Sequence, residues 1–379
     1  MAARDRRRRP LRRVAGILLA LNSFSEDETS LRLKEAKEAC EKSIVAAARL
    51  VQKKGLKLTI GSEEPDLGLT GVLGGLLRTL PTISDSDDLG NIADICRIIG
   101  DEAHLQIYST QNVDVVGGLS GLIIALHRCG EKLNISFDEQ IRDTATRICD
   151  VVVDRALFTN SNESGAGLLG FAHGSSGVVY ALSIAVEKVG SIDDRKRIFS
   201  LLERISYWES AIVDRFGGTW PDLREDPSNR GDAGFNAWCH GSAGALICWS
   251  YVASKTGFPA TVLGRARRLM SSALEETINS LENLSYGSNH SLCHGASGNI
   301  AILNAYFTGE LAQPNVGTEA PETSRTLASI ALAHRSFLRP WCSGAMPGVR
   351  NQGLFMGMSG TLLSIASVSD PELLRGVLW

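Results

Sequence analysis

Several features common in other classes of protein are absent or scarce in this sequence. No apolar run approaches the roughly 20 residues that a membrane-spanning helix needs. Alternation of β-branched and polar residues, the pattern of half-buried strands, is scarce. The chain also has no Cys-x-x-Cys pair, no glycine-rich nucleotide loop and no kinase-like aspartate pattern. We therefore expect no membrane span, no β-rich fold, no four-cysteine zinc site and no nucleotide chemistry.

What the chain does contain favours one large helical unit. Of its 379 residues, 44% are hydrophobic and 21% are charged, with many Leu, Ala, Glu and Arg. Its eight cysteines are spread too widely for the dense disulfide framework of a small secreted domain. We expect reduced thiols in a cytoplasmic protein, with metal binding as the alternative use of some of them.

The net charge of −3 conceals a basic N-terminal segment. Residues 4–13, RDRRRRPLRR, hold seven Arg and one Asp, or +6, which leaves −9 for the rest of the chain. We predict a flexible basic segment at 1–25, followed by one domain at 26–379. A role in holding an acidic peptide, a phosphate-rich partner or a lipid surface is the alternative, and no nucleic-acid partner is expected. A signal peptide is conceivable from VAGILLALN, but no clean cleavage site follows it.

An internal repeat organises most of the sequence. Six stretches each contain Gly-x-x-Gly followed by an apolar run of helical length, and their first glycines lie 47 to 67 residues apart. Those glycines are Gly71, Gly118, Gly174, Gly241, Gly295 and Gly357. The segments between copies, such as 30–55 and 194–217, have the apolar periodicity of amphipathic helices. Each repeat therefore predicts one buried inner helix and one half-exposed outer helix, with the glycines allowing close helix packing.

Large repeats with wholly apolar inner helices favour a closed ring, an all-α α,α-toroid, over an open solenoid. In such a ring the N-termini of the inner helices can converge, and the residues just before each glycine motif would meet. These residues are Asp114, His173, Cys239 with His240, Cys293 with His294, and Met356. Two thiolates and an imidazole suit a catalytic zinc site with an open fourth position. The other interpretation makes the cysteines small buried apolar residues and the histidine a core residue.

The motifs WCHGSAG (238–244) and CHGASGN (293–299), preceded by GFAHGSSG (170–177) and DVVGGLSG (114–121), resemble those of the lanthionine synthetase C-like peptide cyclases. The resemblance runs from about residue 65 to the end, and the last copy (351–379) looks like the end of the cyclase half of class II lanthipeptide synthetases. It implies an α,α-toroid of seven inner and seven outer helices. The seventh pair would be poorly marked and lie near the N-terminus.

The resemblance also implies roles for individual residues. Zinc would be held by Cys239, Cys293 and His294. His173 and Asp114 would handle protons. His240 would either support a ligand or act as an acid facing the substrate. Phe235, where some stand-alone cyclases have a basic residue, and His240, where some have tyrosine, are departures that point to the class II branch.

The implied reaction adds a peptide cysteine thiol to dehydroalanine or dehydrobutyrine and forms a thioether ring. The substrate would be a dehydrated precursor peptide with its leader, supplied by a separate dehydratase. Two alternatives stay open. One is addition of glutathione or another thiol to proteins that contain dehydroamino acids, and the other is a non-catalytic, zinc-stabilised peptide-binding ring.

Four further expectations concern residues around the motifs. We expect Trp238 to pack beside the metal and His290 to be a loop residue. Cys342 is expected to be a structural thiol, because no histidine or helical apolar run follows it. The segment 217–237 is expected to form a long loop over the site.

Overall fold

A computed structural model describes residues 9–22, 31–60, 66–83, 92–159, 167–224, 236–282, 289–311, 351, 353–368, 370–375 and 377–379. In these ranges the chain forms twelve α-helices, three short 3-10 helices (Leu80–Thr82, Ile107–Ser109 and Pro371–Leu374) and no β-strand. None of the helices in this part of the chain is both long enough and apolar enough to cross a membrane. Cys342 and Phe235 lie outside the described residues.

Seven inner helices form a closed ring. They are α1 (Arg9–Leu21), α3 (Val72–Thr79), α5 (Leu119–Leu133), α7 (Ser175–Val186), α9 (Ser242–Ala253), α11 (Ala296–Phe307) and α12 (Met358–Ala366). Each contacts the next one in this order, and α12 contacts α1. Five outer helices are described: α2 (Leu31–Ile60), α4 (Ile92–His104), α6 (Asp138–Asp154), α8 (Ile192–Arg215) and α10 (Ala260–Glu282). The described architecture is the predicted α,α-toroid.

The composition of each helix matches its layer. All twelve residues of α7 are buried, which is possible only because the helix is apolar or small on every side. The outer helix α8 buries one stripe at steps of three and four residues, including Ile198, Leu201, Leu202 and Ile205, and leaves its other face in solvent. The core therefore lies between the two layers and inside the ring.

The second glycine of each motif leaves room for the loop that precedes its own helix. A Cβ there would lie 1.8–2.2 Å from the carbonyl oxygen six residues earlier, in all six copies. The loop of the preceding repeat also approaches, for example Val115 Cγ2 at 2.6 Å from the position of a Cβ on Gly177. The predicted close packing is thus made by loop backbone and by the neighbouring repeat. Any side chain at these positions would displace the backbone.

The seventh inner helix is α1, which has no Gly-x-x-Gly motif. Its Gly16 plays the part of the second glycine, because a Cβ there would lie 2.6 Å from Leu354 Cβ of the preceding repeat. Ala15, Leu18 and Ala20 are buried against the core. Within the segment at 1–25 that the sequence analysis predicts to be flexible, residues 9–21 form α1, and residues 1–8 and 23–25 lie outside the described residues. The seventh inner helix does lie near the N-terminus, as the resemblance implied.

Backbone hydrogen bonds join the loops that precede the inner helices. Leu69 N donates to Val115 O at 2.9 Å, and Val115 N donates to Ala172 O at 2.9 Å. On the other side of the ring, Cys239 N donates to Cys293 O at 3.3 Å, and the Cys293 N–H donates to a carbonyl in the next loop. These bonds hold the loops side by side at one end of the ring. The residues just before the motifs lie in these loops.

Candidate metal centre and acid-base pair

Three predicted ligands lie together at this end of the ring. The Sγ atoms of Cys239 and Cys293 and a ring nitrogen of His294 are all within 4.8 Å of one another. Cys239 comes from the loop before α9 and Cys293 from the loop before α11, and the backbone bond between these two residues sets their spacing. Cys239 is buried, whereas Cys293 and His294 are partly exposed. The centre is therefore open on one side.

Adjacent residues can reach one centre here because they precede the helix. Residues 292–294 form a turn, and α11 begins only at Ala296. Within that turn the His294 N–H donates to Ser291 Oγ at 3.3 Å, and Asn289 Nδ2 donates to the carbonyl oxygen of His294 at 3.2 Å. Inside a helix the two side chains would point about 100° apart. Because residues 292–294 form a turn, this restriction does not apply to Cys293 and His294. The hydrogen bonds of the turn hold its backbone in place.

A hydrogen bond joins the two sulfurs. A hydrogen bond from the Cys293 thiol, assisted by one from His294, lowers the pKa of Cys239 to about 4 against the opposing effect of burial. The same sulfur-sulfur hydrogen bond, together with burial, raises the pKa of Cys293. The pair thus carries one negative charge, and a soft cation between the sulfurs would take both as thiolates.

The cluster fits a tetrahedral zinc site. At Zn–S and Zn–N distances of about 2.0–2.3 Å, tetrahedral ligands lie roughly 3.3–3.8 Å apart, so the 4.8 Å spread needs only a small closure. Three protein ligands would leave one position free on the exposed side. Such a site can hold a substrate thiol, whereas a closed four-ligand site cannot.

A histidine-aspartate pair comes from two other loops. His173 Nδ1 lies 2.9 Å from Asp114 Oδ2, and the other oxygen of that carboxylate accepts the Gly117 N–H at 2.8 Å. The Asp114 N–H donates to Asn112 Oδ1 at 3.0 Å. The carboxylate is therefore fixed on both sides and orients the imidazole. Its bond to Nδ1 leaves Nε2 of His173 as the ring nitrogen on the side away from the carboxylate.

His240 joins the pair to the cluster. Its ring stacks on that of His173, with centroids 5.3 Å apart and an angle of 25° between the planes. It directly follows Cys239 in the chain and is only 7% exposed. Burial lowers the pKa of His240, which favours the neutral imidazole. The structure therefore brings all six predicted site residues to one end of the ring, while their roles stay predictions.

The family profile that matches this sequence covers nearly all of it. The profile is that of the "lanthionine synthetase C-like protein" family, and the match runs over residues 14–379. The chain belongs to this family. The lanthionine synthetase C-like chain is also 25% identical, over 259 residues, to the "lacticin 481/lactococcin biosynthesis protein LcnDR2" of Lactococcus lactis subsp. lactis. That alignment takes in 66% of the chain but only 25% of the relative, so the chain spans about a quarter of that protein's length.

The solved structure of "nisin cyclase" has a similar fold. The superposition has a TM-score of 0.63 and covers 96% of this lanthionine synthetase C-like chain and 90% of the cyclase, at 18% sequence identity. At that identity the likeness concerns the fold. Together with the closed ring of seven inner helices, it confirms the α,α-toroid prediction.

The acid-base pair of the lanthionine synthetase C-like chain faces a cavity of about 490 Å³. Asp114, His173 and His240 line it, and so do two arginines that the sequence analysis missed, Arg155 and Arg224. Arg224 Nε donates to Asp222 Oδ1 at 2.8 Å, which lowers the pKa of that carboxyl. The signal for Arg224 lay in the mixed charges of segment 217–237, of which residues 225–235 are outside the described residues. Arg155 places positive charge in the cavity, whereas the charge of Arg224 is paired with Asp222.

A buried carboxylate supports the loop of His173. Glu209, wholly buried on α8, accepts hydrogen bonds from the Ser175 and Ser176 hydroxyls at the start of α7. It also accepts from the indole N–H groups of Trp220 and Trp249, at 2.9 and 2.8 Å. Burial raises its pKa while these bonds lower it. In the sequence, this role could have been inferred from the position of Glu209, an acidic residue on the apolar face of the helix predicted at 194–217.

Three remaining expectations can be compared with the structure. Trp238 is buried, donates from Nε1 to Leu378 O at 3.0 Å and stacks on Phe355, with ring centroids 4.9 Å apart. His290 lies outside any helix, as expected, but is buried. Met356 is 40% exposed.

Proposed function

We propose that this protein is a zinc-dependent lanthipeptide cyclase that adds peptide cysteine thiols to dehydroalanine or dehydrobutyrine. One observation carries the proposal: a Cys-Cys-His cluster and a His-Asp pair lie at one end of the ring and are joined by the stack of His240 on His173. Membership of the family supports the same function. The substrate is a dehydrated precursor peptide with its leader, made by a separate dehydratase.

Cys239, Cys293 and His294 would hold the zinc. Zinc bound there would supply the positive charge that keeps a substrate thiol deprotonated at neutral pH. Because two ligands are thiolates, the net charge at the centre is low and the substrate sulfur keeps its nucleophilicity. This ligand set favours thiol activation over the hydrolysis typical of sites rich in histidine and carboxylate.

The His173–Asp114 pair would move the proton. The thiol proton passes to Nε2 of His173, and the carboxylate of Asp114 stabilises the resulting imidazolium through Nδ1. Sulfur then bonds to the β-carbon of the alkene, and the electron pair of the double bond moves to the α-carbon. Nε2 returns its proton to that carbon. Thiol and alkene are consumed in equal number, and no oxidant or reductant is needed.

The test is a cyclisation assay with a dehydrated precursor peptide. Free thiols are alkylated after the reaction and counted by mass spectrometry, so a closed ring is seen as a missing alkyl group. We expect wild-type protein to remove thiols, and His173→Asn to lower the rate by about 10²–10⁴, the range of general acid-base catalysis. His104→Asn is the matched control, because His104 Nε2 makes a similar contact with Asp143 Oδ2 at 3.1 Å on the outer helices. No loss of thiols with zinc-loaded wild type would reject the cyclase.

Addition of a small thiol is the second candidate, and Arg155 and Arg224 are the observation that favours it. Both line the cavity of the acid-base pair, and because Arg224 is paired with Asp222, Arg155 is the one that could bind a carboxylate of a thiol such as glutathione. A dehydrated peptide without cysteine, incubated with glutathione, separates the two functions. Adducts to that peptide would support thiol addition, whereas rings with only the internal cysteine would support the cyclase. A protein that binds the peptide and forms neither product is the non-catalytic ring.

A further inference from the structure

Arg78 is a buried arginine, and two of its three guanidinium nitrogens have no hydrogen-bond partner among the described residues. It lies near the C-terminus of the inner helix α3 and is 8% exposed. Its Nη1 donates to Leu69 O at 2.9 Å, but its Nε and Nη2 have no hydrogen-bond partner among the described residues. In Arg128, Arg147 and Arg204, Nε is the one guanidinium nitrogen that is both buried and without a partner among the described residues. An unpaired buried charge is costly, and the last turn of a helix compensates only part of that cost.

The unpaired nitrogens belong to a side chain that lines a cavity. This cavity, of about 250 Å³, lies between α1, α3 and the loop before α12. Its walls are mainly apolar, and of the described residues that line it only Arg78 is charged. The apolar lining includes Ala15, Leu19, Val72, Leu354 and Phe355. The cavity therefore combines one fixed positive charge with apolar surface.

Gly75 keeps this cavity open. It lies in the interior of α3 and lines the cavity, and a Cβ built on it meets no atom within 4 Å. Gly74 beside it has the packing reason common to the repeats, with a carbonyl oxygen 2.1 Å from a Cβ. Glycine in a helix interior destabilises the helix relative to alanine. No described residue lies close enough to position 75 to require a glycine there. The missing side chain instead leaves space that forms part of the cavity.

We propose that this cavity binds a carboxylate flanked by apolar groups, and that an acidic side chain of the peptide substrate supplies it. Arg78 lines the cavity without forming an ion pair with any described carboxylate, and a carboxylate is the group with which a guanidinium pairs most strongly. A single cation balances the single charge of a carboxylate, whereas a phosphate dianion calls for more. The assignment to the peptide substrate rests on the proposed function; the binding of the carboxylate does not.

The position of the cavity suits a second contact with the same peptide. Phe355 lines it, and the Phe355 carbonyl oxygen accepts the N–H of the candidate ligand Cys293 at 2.8 Å. Phe355 also stacks on Trp238, which precedes Cys239. Burial lowers the pKa of Arg78 to about 9, so its guanidinium stays charged at neutral pH. A peptide held here by an acidic residue would lie beside the loops of the candidate metal centre.

The test is a binding measurement with two matched probes, N-acetyl-Leu-Glu-Leu-amide and N-acetyl-Leu-Gln-Leu-amide. Neither contains cysteine or a dehydroamino acid, so the result does not depend on cyclase activity. By calorimetry with full-length protein, we expect the glutamate peptide to bind at least 10-fold more tightly than the glutamine peptide. Arg78→Met should abolish this preference. Equal affinities, or no binding of either peptide to wild type, would overturn the proposal.

A second variant, Gly75→Leu, tests the same cavity without changing Arg78 and keeps the experiment decisive if Arg78→Met does not fold. It fills the cavity from a position where a Cβ has open space and leaves Arg78 in place. We expect this variant to keep the melting temperature and lose the preference for glutamate. Gly264→Leu, at a glycine of α10 whose Cβ also meets no atom, is the control and should keep the preference. A glutamate preference that survives in Gly75→Leu would show that the site lies elsewhere.

Discussion

At the scale of single residues, the candidate centre depends on side chains that sequence distance would keep apart. Cys239 and Cys293 are separated by 54 positions in the numbering yet are joined by a backbone hydrogen bond. His294 reaches the same centre because the turn at 292–294 frees it from helical geometry. Each ligand is thus positioned by a loop that its neighbours hold on both sides.

Cys293→Ala should remove the metal. We expect wild-type protein to retain about one zinc per chain after dialysis, and the variant to retain almost none, because two remaining ligands hold zinc weakly. Elemental analysis by plasma mass spectrometry gives the stoichiometry. Cys149→Ala, at a buried cysteine of the outer helix α6, is the matched control and should keep the metal. Zinc-free wild type, purified without chelator, would reject the zinc site.

His127 should make the protein less stable in mild acid. Burial lowers its pKa from the usual 6.5 to about 4, although the Glu131 carboxylate 3.5 Å away opposes this. Between these pH values the unfolded chain binds a proton that the folded chain does not, so the free energy of unfolding falls as pH falls below 6.5. We expect His127 to account for about 1–2 kcal/mol of loss between pH 7 and pH 5. Urea titrations of wild type and His127→Leu at both pH values measure it, and equal losses would contradict the prediction.

At the scale of helices and loops, the glycine motif is a packing device before it is a site. Its second glycine accepts both its own preceding loop and the loop of the repeat before it. The N–H of the first helical residue also donates to a carbonyl of the loop that directly precedes its own helix, as Leu119 N–H does to Asn112 O at 3.0 Å. The candidate site residues come from four of the described loops, those before α5, α7, α9 and α11.

Two glycine-to-alanine substitutions should therefore have opposite signs. Gly121→Ala would place its Cβ 1.9 Å from the carbonyl oxygen of Val115, so we expect a loss of at least about 2–3 kcal/mol in the free energy of unfolding. Gly264→Ala, in the helix α10, meets nothing and should gain about 0.5–1 kcal/mol through helix propensity. Chemical denaturation of both variants checks the pair. A neutral Gly121→Ala would mean that the loop is not held against the helix.

At the scale of the whole molecule, the ring closes through α1. This helix lies between α12 and α3, and it begins in the basic segment that the sequence analysis expected to be flexible. That expectation was based on the arginines of the segment. The contact with the ring is made by the apolar residues that follow them, of which Ala15, Leu18 and Ala20 are buried. The cavity of Arg78 lies at the same closure.

Leu18→Ala tests this closure. Leu18 is fully buried, so its truncation should lower the free energy of unfolding by about 2–5 kcal/mol, the usual cost of a large-to-small change in a core. Leu105→Ala, at a leucine that is 72% exposed, is the control and should change it by less than about 0.5 kcal/mol. Thermal and urea unfolding give both values. Equal effects of the two variants would mean that residues 9–21 do not pack in the ring and would support the predicted flexible segment.

The sequence by itself determined the helical class, the six-fold glycine repeat and the six residues that gather before the inner helices. These depend on periodicity and on motifs, which are local and can be seen along the chain. Tertiary structure alone decided that α1 completes the ring, that Glu209 supports the His173 loop, and that Arg78 and Gly75 share a cavity. The first two join residues from different repeats or layers, and the cavity of Arg78 and Gly75 lies between α3 and elements of other repeats. Burial and pairing across the ring are set by packing, and no spacing in the sequence records them.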